Sequence, residues 1–517
     1  MNIFCFSPFG YEGSLVTVEV DLRRGIPAVD LVGLADGAIK ESRERMKTAI
    51  RNSGFEFPGE RVLISLSPAD LKKEGAGFDL AIALAVLSRQ KELEPDVDFL
   101  VLGELELNGR IRPVRAVHAA VSTAHAAGIR YCIIPEENAD EAREVSGMKV
   151  FGASNLYDAF HSLFSTDSFT EKNRNSSLKK IPSKDSEEIE GILFPKESED
   201  FSEIRNQEKL VRALQIAAAG FHNLLAYGPP GCGKTLSIMK YPSLLPLLLP
   251  DESQSTTRIY SIAGLLGAEK SSIFRTPFRT PHQTASIEGM CGGGARLSPG
   301  EISLAHNGAL FLDEAAEFKT SVLQMLRVPM ETGSISLSRA GRSTVFPARF
   351  QLLMSANPCP CGNYGSKDRI CLCSARSVEQ YWRKFSAPLL DRIDLRVQTE
   401  TSVKKDSESK KGISTHELRK DIARAVLIQR NRQGKRNALL SPSEIAEFCR
   451  CTPEATLYLD EKSRLFEFSS RSVSGCLKVA RTITDMKQKE IIGIEEMEEA
   501  VSFRKNGGIL ETTATLL

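Results

Sequence analysis

The sequence predicts an α/β protein in which a largely parallel sheet stands between an N-terminal α/β unit and a C-terminal run of helices. Three observations carry this. A phosphate-cradle motif, YGPPGCGKT, occupies residues 227–235 and sits between the apolar strand NLLAYG and a helical stretch. Two further apolar strands, GALFLDEA and FQLLMSAN, end in polar residues, and short buried strands separated by helical stretches make parallel sheets. Residues 165–191, STDSFTEKNRNSSLKKIPSKDSEEIEG, are polar and nearly free of aromatics, a composition that builds no core.

At 517 residues the chain is too long for a single core, and roughly three domains are expected. The reading places an N-terminal domain at 1–164, a flexible linker at 165–199, a nucleotide-binding core at 200–397 and a helical domain at 398–517. Within the first, SLVTVEVDL alternates as a strand, DGAIKESRERMKTAIRNSG is an amphipathic helix closed by glycine, and ERVLISLSP is a second strand. The net charge of +1 excludes no partner class, because patches matter more than totals. MNIFCFSPFG lacks the basic-then-apolar order of an export signal, and no run approaches the length of a membrane span. A cytoplasmic location is therefore expected, and the eleven cysteines read as reduced thiols rather than a disulfide framework.

The cradle runs Gly228, Pro229, Pro230, Gly231, Cys232, Gly233, Lys234, Thr235. Its glycines let backbone amides close on phosphates, Lys234 reaches the terminal phosphates, and Thr235 holds magnesium. ATP and Mg2+ are thus the expected cofactors. Asp313 and Glu314 end the strand ALFLDE, where an acidic pair falls beside the phosphates. Asp313 is expected to bind magnesium and Glu314 to activate the attacking water. Asn357 ends QLLMSAN and is expected to orient that water or the terminal phosphate.

This order of motifs resembles the AAA+ ATPases, and within them the magnesium-chelatase-like ComM/YifB family. The resemblance covers nearly the whole chain through EVDLRRGIPAVDLVGLADGAIKESRERMKTAIRNSGFEFP, SPADLKKEGAGFDLAIAL, AAAGFHNLLAYGPPGCGKT, FRTPHQTAS, PGEISLAHNGALFLDE, SANPCPCG, LLDRIDL and ARTITDM. It implies an AAA+ P-loop domain with a helical lid, preceded by a Lon-protease-like (ribosomal S5-like) α+β domain. Arg392 matches the arginine finger that reaches into a neighbour's site, and Arg471 matches the sensor-2 arginine of the lid. A homo-oligomeric ring, a hexamer, follows by resemblance, as does an ATP-driven motor on single-stranded or branched DNA that serves branch migration during natural transformation. The family's two adjacent histidines are replaced by His282 and Gln283, and two of its glycines by Asn206 (beside Gln207) and Ala387. None of these departures is expected to touch the phosphate cradle.

Laid on the Lon pattern, KKEGAGFDLAIAL puts Gly77 near the nucleophilic serine and GELELNGRIRPVRAVHAA puts His118 near the lysine base. Glycine carries no nucleophile, so no peptidase activity is expected; Ser65 and Ser67 read as strand and turn residues.

Three further segments bear on a substrate. SISLSRAGRSTVFPARF reads as a β-hairpin tipped by Arg339 and Arg342, which would follow a phosphate backbone. RKDIARAVLIQRNRQGKR, a basic run on a helix, reads as a solvated face with phosphate contact as the alternative. The proline-rich RTPFRTPHQ, with Arg275, Arg279 and His282, reads as a loop facing the pore. Cys359, Cys361, Cys371 and Cys373 form two Cys-x-Cys pairs able to hold structural zinc, with reduced structural cysteines as the alternative. A chelatase-type or protein-remodelling ATPase subunit that does not act on DNA stands as the competing function.

Overall fold

The computed structural model describes residues 2–34, 37–69, 73, 76–92, 97–164, 166–170, 185–196, 199–266, 272–295, 297–339, 342–364, 369–400 and 412–504. The N-terminal part is built on seven strands, β1 (Ile3–Ser7), β2 (Ser14–Arg23), β3 (Val29–Val32), β4 (Arg61–Ser67), β5 (Phe99–Val101), β6 (Tyr131–Pro135) and β7 (Lys149–Ala153). They form one mixed sheet in the order β3-β4-β2-β1-β5-β6-β7. Val16 and Val18 are buried while Glu19 is exposed, the alternation of a strand with one covered face. Helix α1 (Gly37–Asn52) gives way to Gly54 at φ +83°. Helix α2 (Asp79–Gln90) is buried from Asp79 to Ser88, which is why DLAIALAVLS is apolar almost without interruption. Gly77 lies just before α2, and His118 is buried in α3 (Val117–Ala126).

Of the expected linker, residues 165, 171–184 and 197–198 lie outside the described residues. Its C-terminal end is ordered structure. Strands β8 (Ser186–Ile189) and β9 (Ile192–Pro195) pair as an antiparallel hairpin whose Ile189, Ile192 and Phe194 are buried. The physical reason is local: the polar stretch stops at Gly191, and the apolar GILFP that follows has a core to enter.

The central sheet is parallel throughout. Its strands β10 (Leu224–Tyr227), β11 (Phe278–Arg279), β12 (Ala309–Leu312), β15 (Gln351–Ala356) and β16 (Leu395–Gln398) stand in the order β11-β12-β15-β10-β16. A separate hairpin, β13 (Ser334–Arg339) and β14 (Arg342–Pro347), projects between β12 and β15 in chain order. Helix α4 (Glu208–Gly220) turns Leu210, Leu214 and Ala217 into the core at helical spacing.

The C-terminal helices include α9 (Thr415–Gln433), α10 (Pro453–Leu465), α11 (Ser470–Met486) and α12 (Ile494–Arg504). Ser414 caps α9 in a reciprocal pair with Glu417, and Gly434 at φ +70° ends it. These helices share a core with α4 and the β8–β9 hairpin through Leu418, Ile422, Val479 and Ile483. Among the described residues no helix is long and apolar enough to cross a membrane.

Candidate nucleotide site and its neighbours

Strand register builds the site. Tyr227 of β10 pairs with Ala356 of β15, and Leu312 of β12 pairs with Met354 of the same strand. The loop Gly228–Thr235, the acids after β12 and Asn357 after β15 therefore emerge side by side at one sheet edge.

The cradle backbone takes the conformation only glycine adopts freely. Gly231 and Gly233 sit at φ +79° and +85°, and nothing lies within 4 Å of where a Cβ would project from either, so the loop's concave side is open. Gly228 is tight instead: a Cβ there would lie 2.3 Å from the carbonyl oxygen of Thr399. Cys232 Sγ is 3.0 Å from Thr399 Oγ1, and Gln207 Nε2 donates to the Cys232 carbonyl at 2.7 Å. Lys234 is buried, and its Nζ donates to the carbonyls of Gly228 and Pro229 at 2.7 and 2.8 Å. That ammonium is held within the loop that would receive the phosphates. Asn206 stands at φ +59°, and asparagine tolerates the left-handed region where the family has glycine.

Helix α5 (Lys234–Met239) presents Thr235, whose Oγ1 donates to Asp313 Oδ1 at 2.9 Å. Ser355 Oγ donates to the same carboxylate oxygen at 2.5 Å and accepts the backbone N–H of Glu314 at 3.0 Å. Glu314 itself sits at φ +49°, a left-handed conformation held by that bond and one to Asp313. Its carboxylate accepts from Gln283 Nε2 at 2.6 Å. The departure at Gln283, expected to spare the phosphate cradle, makes no bond to it among the described residues but touches the expected catalytic acid. The hydroxyl and carboxylate of Thr235 and Asp313 are a hard oxygen set of the kind magnesium takes. Together with the open glycine cradle they fit a nucleoside triphosphate and its metal. Bound there, the metal would neutralise phosphate charge. Asn357 directly follows β15, whose last residue Ala356 pairs with Tyr227 at the start of the cradle.

The two arginines are brought to each other and not to this cradle. Arg392 Nη2 meets Glu331 Oε2 at 2.5 Å, and Arg471 Nη2 meets Glu331 Oε1 at 3.0 Å. Bonding to Arg392 and the charge of both guanidiniums hold the Glu331 carboxyl below its ordinary range. Neither Asp391 nor Asp394 pairs with Arg392. Asp391 accepts from Ser469, Ser472 and Arg504, and Asp394 pairs with His222. Arg471 lines a cavity of about 690 Å³ with Trp382, Phe466 and Phe468, and no cradle residue lines it.

Among substrate candidates, Arg339 is exposed and pairs across the hairpin with Arg342. The tip, residues 340–341, lies outside the described residues. Arg342 stacks over the Phe9 ring at 5.2 Å, and Thr344 Oγ1 accepts from the Tyr11 backbone at 2.9 Å. The N-terminal part therefore seats a loop on the hairpin, a joint that no local pattern signals. The basic run is largely consumed inside the protein. Arg419 pairs with Glu187, Arg424 with Glu190, Arg432 with Asp485 and Lys435 with Glu444, while Arg436 donates to the Ala218 carbonyl. Arg279 makes a two-bond ion pair with Glu301, both bonds 2.7 Å.

The four cysteines converge. Cys359 Sγ lies 3.4 Å from Cys361 Sγ and 3.7 Å from Cys371 Sγ, and all four sulfurs lie within 4.8 Å of one another. The backbone of Asn363 and the Cys359 thiol draw Cys361 down to about 6. The cluster could hold a metal.

A P-loop cradle, an acidic strand end and a parallel sheet define a protein of the P-loop nucleotide-binding class. Family models agree on the class: "Magnesium chelatase, subunit ChlI" matches residues 200–407, "Subunit ChlI of Mg-chelatase" matches 18–138, and the corresponding C-terminal model matches 412–504. The chain is 37% identical to the uncharacterized protein YifB of Escherichia coli over 502 residues, 96% of this chain and 95% of that one. It is 35% identical to the competence protein ComM of Haemophilus influenzae over 526 residues, 99% of each. The chain belongs to the magnesium-chelatase-like ComM/YifB family. Its N-terminal region is also similar to Lon protease 1 of Thermus thermophilus, 31% identical over 143 residues that make up 26% of this chain and 18% of that one.

Proposed function

We propose that this protein is an ATP-hydrolysing AAA+ ring motor, with a helical lid formed by its C-terminal helices, that acts on single-stranded or branched DNA in the cytoplasm. The observation that carries the ATPase reading is the convergence of Thr235, Asp313, Ser355 and Glu314 beside the open cradle. In this reading Lys234 binds the terminal phosphates, Thr235 and Asp313 hold magnesium, Glu314 takes the proton of the attacking water and Asn357 orients that water. Arg392 and Arg471 serve the nucleotide of the next subunit around a hexameric ring, so a lone subunit is catalytically incomplete. The cysteine cluster holds structural zinc. The N-terminal domain, with Gly77 where a protease needs its serine, is a docking scaffold and not a peptidase.

The DNA reading is supported by the exposed Arg339 on a projecting hairpin and by the competence role in the name of the Haemophilus relative. It is tested by the ATPase rate with and without forked or single-stranded DNA across a salt titration, with Glu314→Gln as the blank. Stimulation that fades with salt is expected, since phosphate contacts release counterions. No response at any salt would favour a chelatase-type or protein-remodelling subunit.

A further inference from the structure

We propose that Glu331 is a positioning residue that holds Arg392 and Arg471 as a matched pair for the nucleotide of the neighbouring subunit, an inference that rests on the reading of those two arginines above.

The geometry is specific. Arg392 comes from the segment before β16 and Arg471 from α11 of the C-terminal helices, yet each takes a different oxygen of one carboxylate. Two guanidiniums this close repel unless an anion stands between them. Few polar partners besides Glu331 orient the Arg392 guanidinium: Nη1 donates to the Pro388 carbonyl at 2.7 Å, and its Nε is buried without a hydrogen-bond partner among the described residues, although the side chain is only 12% exposed. Arg471 at 45% and Glu331 at 54% face solvent, while Arg392 is mostly covered. Glu331 also joins this pair to the substrate hairpin. It lies in α7 (Arg327–Thr332), and Gly333, at φ +66°, leads directly into β13, with the Ala348 N–H closing the hairpin's base on the Gly333 carbonyl at 2.8 Å. A shift of the hairpin therefore reaches the carboxylate that orients both arginines.

Glutamine at 331 keeps the shape but has one acceptor oxygen, so it can serve only one arginine. Aspartate keeps both acceptors on a shorter stem. The test is steady-state ATPase kinetics of Glu331→Gln, Glu331→Asp, Arg392→Ala and the Glu331→Gln, Arg392→Ala double variant, with oligomer mass followed by light scattering. Misorienting such a group costs about 10- to 100-fold. The expected result is a fall of that size in kcat for Glu331→Gln with KM for ATP within about twofold, partial recovery in Glu331→Asp, and a double variant no slower than Arg392→Ala alone. Wild-type kcat in Glu331→Gln beside an inactive Arg392→Ala would overturn the inference and leave the arginine reading standing. Loss of ring mass as the sole cause of the fall would also overturn it. Full turnover in Arg392→Ala would remove the reading beneath it.

Discussion

Removing the zinc proposed for the cysteine cluster is the perturbation whose size the structure sets most directly. Zinc–sulfur bonds of about 2.3 Å in a tetrahedron put the sulfurs about 3.8 Å apart. Separations of 3.4, 3.6 and 3.7 Å among Cys359, Cys361 and Cys371 need only a few tenths of an ångström of adjustment. The ligands close the segment from residue 359 to residue 373, about 15 residues, and a cross-link of that span is worth about 3 kcal/mol. For a domain of this kind that corresponds to roughly 6 to 12 °C in Tm. The consequence reaches the nucleotide site. The Trp382 indole donates to the Pro358 carbonyl at 3.0 Å, and a Cβ at Gly362 would lie 2.8 Å from the Pro230 ring of the cradle. A freed loop would unsettle both Asn357 and the cradle wall. One zinc per chain is expected by elemental analysis. Cys361→Ser with Cys371→Ser should abolish it, lower the melting transition by the stated amount and cut ATPase turnover about tenfold. Protein with under about half an equivalent of zinc, full turnover and a melting curve indifferent to chelator would refute the reasoning.

Lys234→Ala should weaken ATP binding, and Glu314→Gln should bind ATP yet turn over about 10² to 10⁴ times more slowly, both read by equilibrium binding beside steady-state rate. Ser355→Ala should lower kcat about tenfold with little change in KM, because it frees both Asp313 and the strained backbone of Glu314; equal turnover would mean that the hydroxyl does not position them. Glu496, whose side chain is 1% exposed, is penalised by burial, but bonds from Lys487 and Lys489 at 2.8 Å bring its carboxyl down to about 2. A depressed folded pKa means that this contribution is complete above about pH 5 and is lost as pH falls toward 2. With the lysines partly in water, Glu496→Gln should cost about 1 to 2 kcal/mol at pH 7 and nothing near pH 2, measured by denaturant melts at both.

The cradle, Asp313, Glu314 and Asn357 were legible because each ends an apolar strand, and the register of a parallel sheet converts strand ends into neighbours. Gln283 was noticed only as a departure. Its bond to Glu314 joins residues 31 apart, and a loop's reach cannot be read from its composition. Ser355 hid inside QLLMSAN as one more strand residue, although a hydroxyl next to the last strand position was a signal available to a closer reading. Glu331 had none: it meets Arg471 across 140 residues. The basic run on α9 was misleading in its sum, since its charges meet acids on the β8–β9 hairpin and on α11.

Sequence by itself determined which residues gather at the cradle and in the cysteine cluster, because phosphate cradles, acidic strand ends and cysteine pairs are local patterns whose residue types and spacings suit the groups they would bind. Tertiary structure alone decided which charges remain available for partners. Arg392 and Arg471 were two isolated arginines until Glu331 joined them, and Arg342 was a hairpin charge until Phe9 covered it. The reason is physical: an ion pair or a stacked ring depends on separations of a few ångströms in space, and chain distance carries almost no information about those.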